Sequence, residues 1–360
     1  MAERPASLAD TIARARIVVC TGTGGVGKTT TAAAIGLAAA RAGRRAMVVT
    51  IDPARRLAQA LGLASLDNDA RLVEGAGRNG GSLHAAMLDP RATFDAMVTR
   101  CAHDDAQRDR ILGNRFYQNI AGNLSGTHEY MAMEKLYDLA NTETYDLIVV
   151  DTPPNRDALA FLDAPRLFAR LLDNWLYKIL VTPSRGIART AAAGAHTIAR
   201  QLTRVVGAAV LDDTIAFFRS LDGIEEDFRH RANEVFRTLQ SADSAFVLVV
   251  SPRPDTLAEA QGFVEALATA GLAVRAVIVN RTTPSFGDVA VPAGRSGAAR
   301  ALADFRALAR REQAEIHTFA TTIPGAALVQ VPMLARDIHD LEGLATIADL
   351  LLVTPGPTTT

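Results

Sequence analysis

Residues 22–29 of this chain read Gly-Thr-Gly-Gly-Val-Gly-Lys-Thr, which is a complete G-x-x-x-x-G-K-S/T phosphate loop. Glycines let successive backbone N–H groups point at phosphate oxygens, and the N-terminus of the following helix adds partial positive charge. We expect the Lys28 amine to reach the β- and γ-phosphates as a catalytic cation, and the Thr29 hydroxyl to bind Mg²⁺. The residues predicted to contact a nucleotide in this segment are Gly24, Gly25, Val26, Gly27, Lys28, Thr29 and Thr30.

Two aspartates follow apolar runs and can serve the same nucleotide. Asp151 comes directly after Leu147–Val150. An acidic residue at the tip of a buried strand beside a phosphate loop is the expected second Mg²⁺ partner, through a water. Asp52 follows Val48–Ile51, where its carboxylate can orient and deprotonate the attacking water or reach the metal through a water. Asp52 can equally cap the following helix, and the residues alone leave its role open.

Asn280 directly follows the apolar run Val277–Val279. A side-chain amide at a strand tip can pair with both a donor and an acceptor on a purine edge. A polar turn residue would look the same in the sequence, so this position alone does not decide between the two.

These side chains require a sheet whose strand ends meet at one edge. The apolar runs of strand type are Ile17–Cys20, Ala46–Ile51, Leu147–Val150, Phe246–Val250 and Val274–Val279. The helical patterns between them include Thr30–Ala42, Ala258–Ala270 and Gly297–Glu315. Continuous apolar strands that alternate with helices predict an α/β fold with a mostly parallel, doubly wound sheet. Ligands of such sheets bind at the carboxyl ends of the strands.

Two further stretches, residues 91–141 and 165–242, read as mostly helical with no strong strand between them. Because both lie within the sequence of the phosphate-loop domain, we expect them to pack together as an inserted helical subdomain. The predicted organisation is a single phosphate-loop domain over residues 1–354, followed by a disordered tail over residues 355–360.

Composition excludes several classes of partner. The formal net charge is −1, which gives no basic field for nucleic acid. Cys20 and Cys101 are the only cysteines and are far apart, so no zinc site of standard spacing is expected. The chain contains no apolar run of membrane-spanning length and no apolar leader, so we expect a cytoplasmic protein without stable membrane insertion.

Taken together, the motifs resemble the ArsA family, which includes the arsenite-pump ATPase and the ATPase that targets tail-anchored membrane proteins. The segments that carry the resemblance are residues 22–30, Asp52–Ala54, Asp151–Pro154, Val277–Arg281 and Val331–Leu334. Residues 121–139 also resemble that family's helical subdomain. The segments occur in the family's order across nearly the whole chain, and the most similar branch is the single-domain bacterial one.

The resemblance implies a P-loop NTPase of the SIMIBI class that binds ATP or ADP with Mg²⁺. It makes Asp52 the switch I residue that orients the hydrolytic water, and Asp151 the Walker B carboxylate. It also implies that Asn280 reads the adenine and that the backbone near Pro332 helps to enclose the base. Members of the family work as dimers that ATP closes and hydrolysis reopens.

This chain departs from the family pattern at Thr23, where the family usually has a lysine that reaches the partner subunit's phosphates. Loss of that cation predicts slow hydrolysis unless another charge replaces it. The candidates within the chain are Arg55, Arg56 and Arg156, and a partner subunit that retains the lysine is a further candidate. The cysteines that bind metalloid in the arsenite pump have no counterpart, so no metalloid site is expected.

The leading interpretation is therefore a Mg²⁺-dependent ATPase that acts as a nucleotide-gated dimeric switch, either for targeting a protein or apolar client or for a membrane-associated partner. The alternative is a regulatory subunit that binds ATP, hydrolyses little and pairs with a related ATPase as a heterodimer. A MinD/ParA-type partitioning ATPase is disfavoured because the C-terminal segment Leu341–Leu350 is acidic rather than basic. A small-molecule kinase would need a lid of clustered arginines, for which residues 181–209 are only a loose candidate.

Overall fold

The computed structural model describes residues 7–52, 56–120, 127–153, 208–287 and 297–352. These residues form two compact units. The first is drawn from Met1–Leu88, Leu139–Leu159 and Arg237–Thr360, and the second from Asp89–Asp138 and Ala160–Phe236.

The strands of the described residues are β1 (Ile17–Thr21), β2 (Arg45–Thr50), β3 (Arg71–Leu72), β4 (Ser82–Met87), β5 (Leu147–Asp151), β6 (Ser244–Val250), β7 (Val274–Thr282) and β8 (Ala327–Pro332). The helices are α1 (Leu8–Arg14), α2 (Lys28–Arg41), α3 (Arg56–Ala60), α4 (Pro90–Cys101), α5 (Asp105–Leu112), α6 (Arg115–Ile120), α7 (Thr127–Asn141), α8 (Ala208–Ser220), α9 (Glu225–Gln240), α10 (Pro254–Thr269), α11 (Gly297–Thr321) and α12 (Leu341–Leu352).

All the strands belong to one sheet in the order β3-β4-β2-β5-β1-β6-β7-β8. Every pairing is parallel except that of β3 with β4, at one edge. The α/β fold with a mostly parallel sheet is therefore as predicted. The central position of β1 and β5 places the phosphate loop and Asp151 on adjacent strand ends.

The sheet is covered on both faces, which explains why its central strands are apolar without alternation. On one face α1, α2, α3 and α12 pack against residues such as Val149 and Val247. On the other face α10 and α11 pack against neighbouring residues of the same strands, including Leu248 and Val277. The phosphate loop therefore starts from a strand, β1, that is buried within the sheet.

Some elements differ from the sequence expectation. The apolar pattern does not predict β4, which contains no β-branched residue, or the alternating strand β8, and α11 extends to Thr321 rather than ending near Glu315. In β8 buried and partly exposed residues alternate, as befits an edge strand rather than a continuous apolar run. The antiparallel strand β3 has only two residues, too few for a periodic signal.

The second unit is helical over its described residues. It contains a cluster of aromatic rings in which Tyr117 stacks on Phe217 and Phe94 lies tilted against both. The bounds of the inserted helical subdomain remain a prediction, because residues 154–207 lie outside the described residues. The predicted tail, residues 355–360, also lies outside them.

Candidate nucleotide-binding site

The phosphate loop connects β1 to α2 through backbone conformations that favour glycine. Gly22 has φ +147° and Gly27 has φ +95°. A Cβ added at Gly22 would lie 2.0 Å from the Val249 carbonyl oxygen, so the loop passes directly against β6. Gly27 is the N-cap of α2 and makes no side-chain cap, which leaves the first N–H groups of the helix facing the loop.

Lys28 is 6 % exposed, and its Nζ donates a 2.8 Å hydrogen bond to the backbone carbonyl of Thr23. Burial lowers the pKa of Lys28 below its ordinary value, while the charges of Asp151 and Asp52 oppose that shift. The nearby positive charge of Arg56 lowers the pKa of Lys28 further. The amine is thus held against the loop among two carboxylates and a second cation.

Asp151 ends β5 and is fully buried. Burial raises its pKa to about 6, although hydrogen bonds from Thr29 and Thr50 and the charge of Lys28 favour the ionised form. The Thr50 hydroxyl donates to Oδ2 of Asp151 at 2.8 Å. The other oxygen, Oδ1, is buried and has no hydrogen-bond partner among the described residues.

This unsatisfied oxygen tests whether the site suits a divalent cation. A buried carboxylate oxygen without a partner is costly unless a ligand or an ordered water satisfies it. Asp151 lies beside the Thr29 hydroxyl, and an oxygen-only donor set of this kind suits Mg²⁺, which keeps several of its own waters. The residues therefore fit the metal, with Asp151 acting through a water. The described residues contain no group of three or more His, Cys, Asp or Glu that could bind a metal by themselves.

Asp52 lies just beyond β2, and its backbone N–H donates to the Thr50 hydroxyl at 3.2 Å. The Thr50 side chain therefore links the backbone of Asp52 to the carboxylate of Asp151. Asp52 also lines the pocket over the phosphate loop, together with Arg56 at the start of α3. This arrangement brings the segment between β2 and α3 together with the end of β5, about 100 positions further along the chain.

The pocket has a volume of about 330 Å³. Its lining residues are Gly25, Gly27, Lys28, Thr29, Thr30, Asp52, Arg56, Gln59, Ala60, Thr152, Arg281, Ile338 and His339. Most of the predicted phosphate contacts are in this set, and Val26 is buried beneath it. Gly24 is exposed and is not part of the lining.

Asn280 lies against the phosphate loop, with its Nδ2 donating to the Val26 carbonyl at 2.8 Å. An amide NH₂ has two hydrogens, so one remains for an acceptor on a bound base. Its Oδ1 accepts from the backbone N–H of Arg281 at 3.0 Å. Pro332 ends β8, paired with Thr282, and is not among the pocket-lining residues.

Several pocket residues were not anticipated from the sequence. Ile338 and His339 belong to the segment after β8, and Gln59 and Ala60 to α3. Arg281 lies in the segment Val277–Arg281, which carries the family resemblance, but the sequence indicates no role for it. The other four positions carry no local pattern, because the fold alone brings them to the phosphate loop.

A phosphate loop between a buried parallel strand and a helix, with an aspartate at the end of the adjacent strand, defines a P-loop nucleotide-binding protein. Comparison with known families is more specific. Residues 15–353 match the model of the ArsA ATPase family, described as anion-transporting ATPase, and the chain belongs to that family. The resemblance seen in the sequence is thereby confirmed.

A curated relative is the ATPase get3 of Aspergillus terreus (strain NIH 2624 / FGSC A1156). It is 30 % identical over 155 residues, which are 42 % of this chain and 43 % of the relative. The match thus spans less than half the length of either protein. Across the described residues, no helix combines the length and the apolar character that crossing a membrane would require.

Proposed function

We propose that this chain is a Mg²⁺-dependent ATPase that converts ATP and water to ADP and phosphate. The observation that carries the proposal is the unpartnered, fully buried Oδ1 of Asp151, placed beside a complete phosphate loop. A buried carboxylate with an unsatisfied oxygen is stabilised when a cation-bound water occupies the site. Family membership supports the same activity.

Each residue has a distinct role in this proposal. Lys28 and the N–H groups at the start of α2 bind the phosphates and offset their charge. Thr29 and Asp151 hold the Mg²⁺, which supplies Lewis-acid stabilisation of the phosphoryl oxygens when it is bound. Asp52 orients the attacking water and is placed to accept its proton. Asn280 contacts the adenine with the amide hydrogen that the Val26 carbonyl leaves free.

The experiment measures MgATP binding and phosphate release for the wild type and for Lys28→Ala, Asp52→Asn and Lys135→Ala. Lys28→Ala should lose nucleotide affinity, and Asp52→Asn should bind MgATP normally but release phosphate at least ten-fold more slowly. Lys135 lies on α7, far along the chain from the phosphate loop, and serves as the matched lysine control. Wild-type protein that binds no nucleotide would refute the proposal.

We further propose that the chain works as a nucleotide-gated dimer in the cytoplasm, as a homodimer or with a related ATPase chain. ATP closes the two subunits and hydrolysis reopens them, so that a client protein or a membrane-associated partner is held in only one state. The support is the family membership and the relative's identity as an ATPase. Sedimentation with ADP and with a non-hydrolysable ATP analogue would test it, since only the analogue should favour a closed dimer.

A second candidate function is a regulatory subunit that binds ATP but hydrolyses little. Thr23 favours it, because the residue at the family's lysine position is neutral here and its hydroxyl is buried without a hydrogen-bond partner among the described residues. Phosphate release by the chain alone and after mixing with a related, lysine-containing ATPase separates the two candidates. Strong release only in the mixture would favour the regulatory subunit.

If the chain does hydrolyse ATP alone, we propose that Arg56 supplies the missing positive charge from within the same subunit. Arg56 lines the pocket with Asp52 and is close enough to Lys28 to affect its pKa. An arginine provided in cis is an established device in other phosphoryl-transfer sites. The other two candidates, Arg55 and Arg156, lie outside the described residues.

A further inference from the structure

Strand β7 has an irregular end at Arg281. The register of β7 with β8 shifts between Asn280 and Thr282. Arg281 lies at the shift and has φ +61°, a left-handed conformation that residues other than glycine, asparagine and aspartate seldom adopt. Such strain persists only where the surroundings impose it, and it concentrates at functional sites.

This conformation directs the side chains of two consecutive residues, Asn280 and Arg281, toward the phosphate loop. In a regular strand, neighbouring side chains point to opposite faces of the sheet. Here Asn280 Nδ2 donates to the Val26 carbonyl at 2.8 Å, and Arg281 Nη1 donates to the Gly25 carbonyl at 3.1 Å. A bulge re-aims a side chain in this way. Two adjacent residues of β7 therefore hold two adjacent carbonyls of the phosphate loop.

The contact between the strand end and the loop is close. A Cβ added at Gly27 would lie 2.3 Å from Nδ2 of Asn280, so the loop has no room to move toward β7. Arg281 lies on the open side of this contact and lines the same pocket as Lys28. Its guanidinium has five N–H donors, and the hydrogen bond to Gly25 uses one of them.

We infer that Arg281 is a nucleotide-positioning residue that holds the phosphate loop in its binding conformation by bonding the Gly25 carbonyl. The inference rests on the proposed function, because it concerns the same pocket. A preorganised loop binds phosphate without first losing conformational entropy, so the bond contributes to affinity before any nucleotide contact is made. The left-handed backbone at Arg281 is maintained because it directs the guanidinium at the loop.

The test compares Arg281→Gly with the wild type. Glycine adopts a positive φ without strain, so the variant removes the guanidinium without forcing the backbone into a new path. We expect the thermal stability of the nucleotide-free protein to be unchanged or higher, and the Kd for MgADP to rise about ten-fold. In the nucleotide-free protein, amide hydrogen exchange should become faster in the peptide that covers residues 22–31. A purely structural role would instead lower the stability.

Two further variants complete the design. Arg281→Lys keeps a positive donor and should restore part of the affinity, whereas Arg275→Gln, at the other end of β7, should change neither readout. An unchanged Kd for MgADP in Arg281→Gly would overturn the inference. A higher Kd with unchanged amide hydrogen exchange in residues 22–31 would overturn it as well. If the wild type and Lys28→Ala are equally unable to bind MgADP, the proposed function fails instead, and the two failures are thus distinguishable.

Discussion

The Thr50 hydroxyl donates a 2.8 Å hydrogen bond to Oδ2 of Asp151 and accepts one from the backbone N–H of Asp52. The ends of β2 and β5 are therefore joined through one small side chain. This bond holds Oδ2 of the Asp151 carboxylate, while Oδ1, which we propose faces a metal-bound water, has no partner among the described residues.

Replacing Asp151 with asparagine should stabilise the metal-free protein at neutral pH. Burial raises the pKa of Asp151 in the folded protein to about 6. The stability that the protonated carboxyl contributes is therefore fully present below the unfolded pKa. It is lost as the pH rises through 6, because the carboxyl must then ionise while it is buried. Asparagine is neutral at every pH, so the variant should gain on the order of 3 kcal/mol over the wild type at pH 8. Thermal unfolding in EDTA between pH 4 and pH 8 measures the difference.

The same substitution should remove the stabilisation that we expect MgADP to give to the wild type, because the proposed metal site loses its carboxylate. The two proteins should have similar stability near pH 4, where the wild-type carboxyl is protonated. A difference that does not depend on pH would contradict the assignment of the shift to Asp151.

Replacing Thr23 with lysine should increase phosphate release at least ten-fold, because it restores the cation that the family pattern places there. If the new lysine acts across a dimer, the rate per subunit should rise with protein concentration. Thr23→Met serves as the control, because methionine is similar in length to lysine but carries no charge. Equal rates for the lysine and methionine variants at every concentration would rule out this effect.

Replacing Arg56 with alanine should lower the rate of phosphate release about ten-fold or more, with little change in the Kd for MgATP. The reason is that Arg56 and Asp52 line the same pocket, in which we propose that charge develops during hydrolysis. Arg56→Lys should retain part of the rate. Arg253→Ala is the control, since Arg253 pairs on the surface with Asp255. A full rate in Arg56→Ala would show that the charge comes from elsewhere.

Replacing Gly22 with alanine should destabilise the protein by about 1–3 kcal/mol and weaken nucleotide binding, because the new Cβ collides with backbone. The obstacle is the Val249 carbonyl oxygen, 2.0 Å from the added atom. Gly262→Ala, within α10, meets no atom within 4 Å and should instead stabilise by about 0.5–1 kcal/mol. Thermal unfolding and MgADP titration of both variants test the contrast, which would fail if they behaved alike.

In the second unit, replacing Arg231 with methionine should cost about 3 kcal/mol, because it leaves the buried Glu134 carboxylate with only the longer 3.4 Å contact to Arg100. The Glu134 side chain is 1 % exposed and accepts from the Arg231 guanidinium, and burial raises the pKa of Glu134. The matched control is Arg253→Met. Because Arg253 and its partner Asp255 are both exposed, this variant should lose only about 0–1 kcal/mol of unfolding free energy. Urea unfolding followed by circular dichroism would refute the prediction if the two losses were equal.

The parts of the fold that the sequence predicts are those with strong local signals. Strand β1, the phosphate loop and α2 follow from an apolar run, a glycine motif and an alanine-rich pattern. Strand β4 gives a weaker signal, because its sequence Ser-Leu-His-Ala-Ala-Met contains no β-branched residue. Burial between β2 and the sheet edge makes it a strand, and that is a tertiary effect.

The site divides in the same way. Lys28, Thr29 and Asp151 are predictable because each follows a buried strand or sits within a motif. The contact between Asn280 and Val26 joins residues 254 positions apart, and nothing local to either one encodes it. The left-handed conformation of Arg281 is equally hidden, since arginine has no preference for it.

The burial of Lys28 has a practical consequence because lysine is so scarce in this chain. Lys28, Lys135 and Lys178 are the only lysines, against 35 arginines. A protein grown with isotope-labelled lysine would therefore give three side-chain signals by nuclear magnetic resonance. The amine of the phosphate loop, buried and hydrogen-bonded to the Thr23 carbonyl, has an environment unlike that of a solvated lysine. The scarcity of lysine thus gives the site its own spectroscopic reporter, with no chemical tag attached in the pocket.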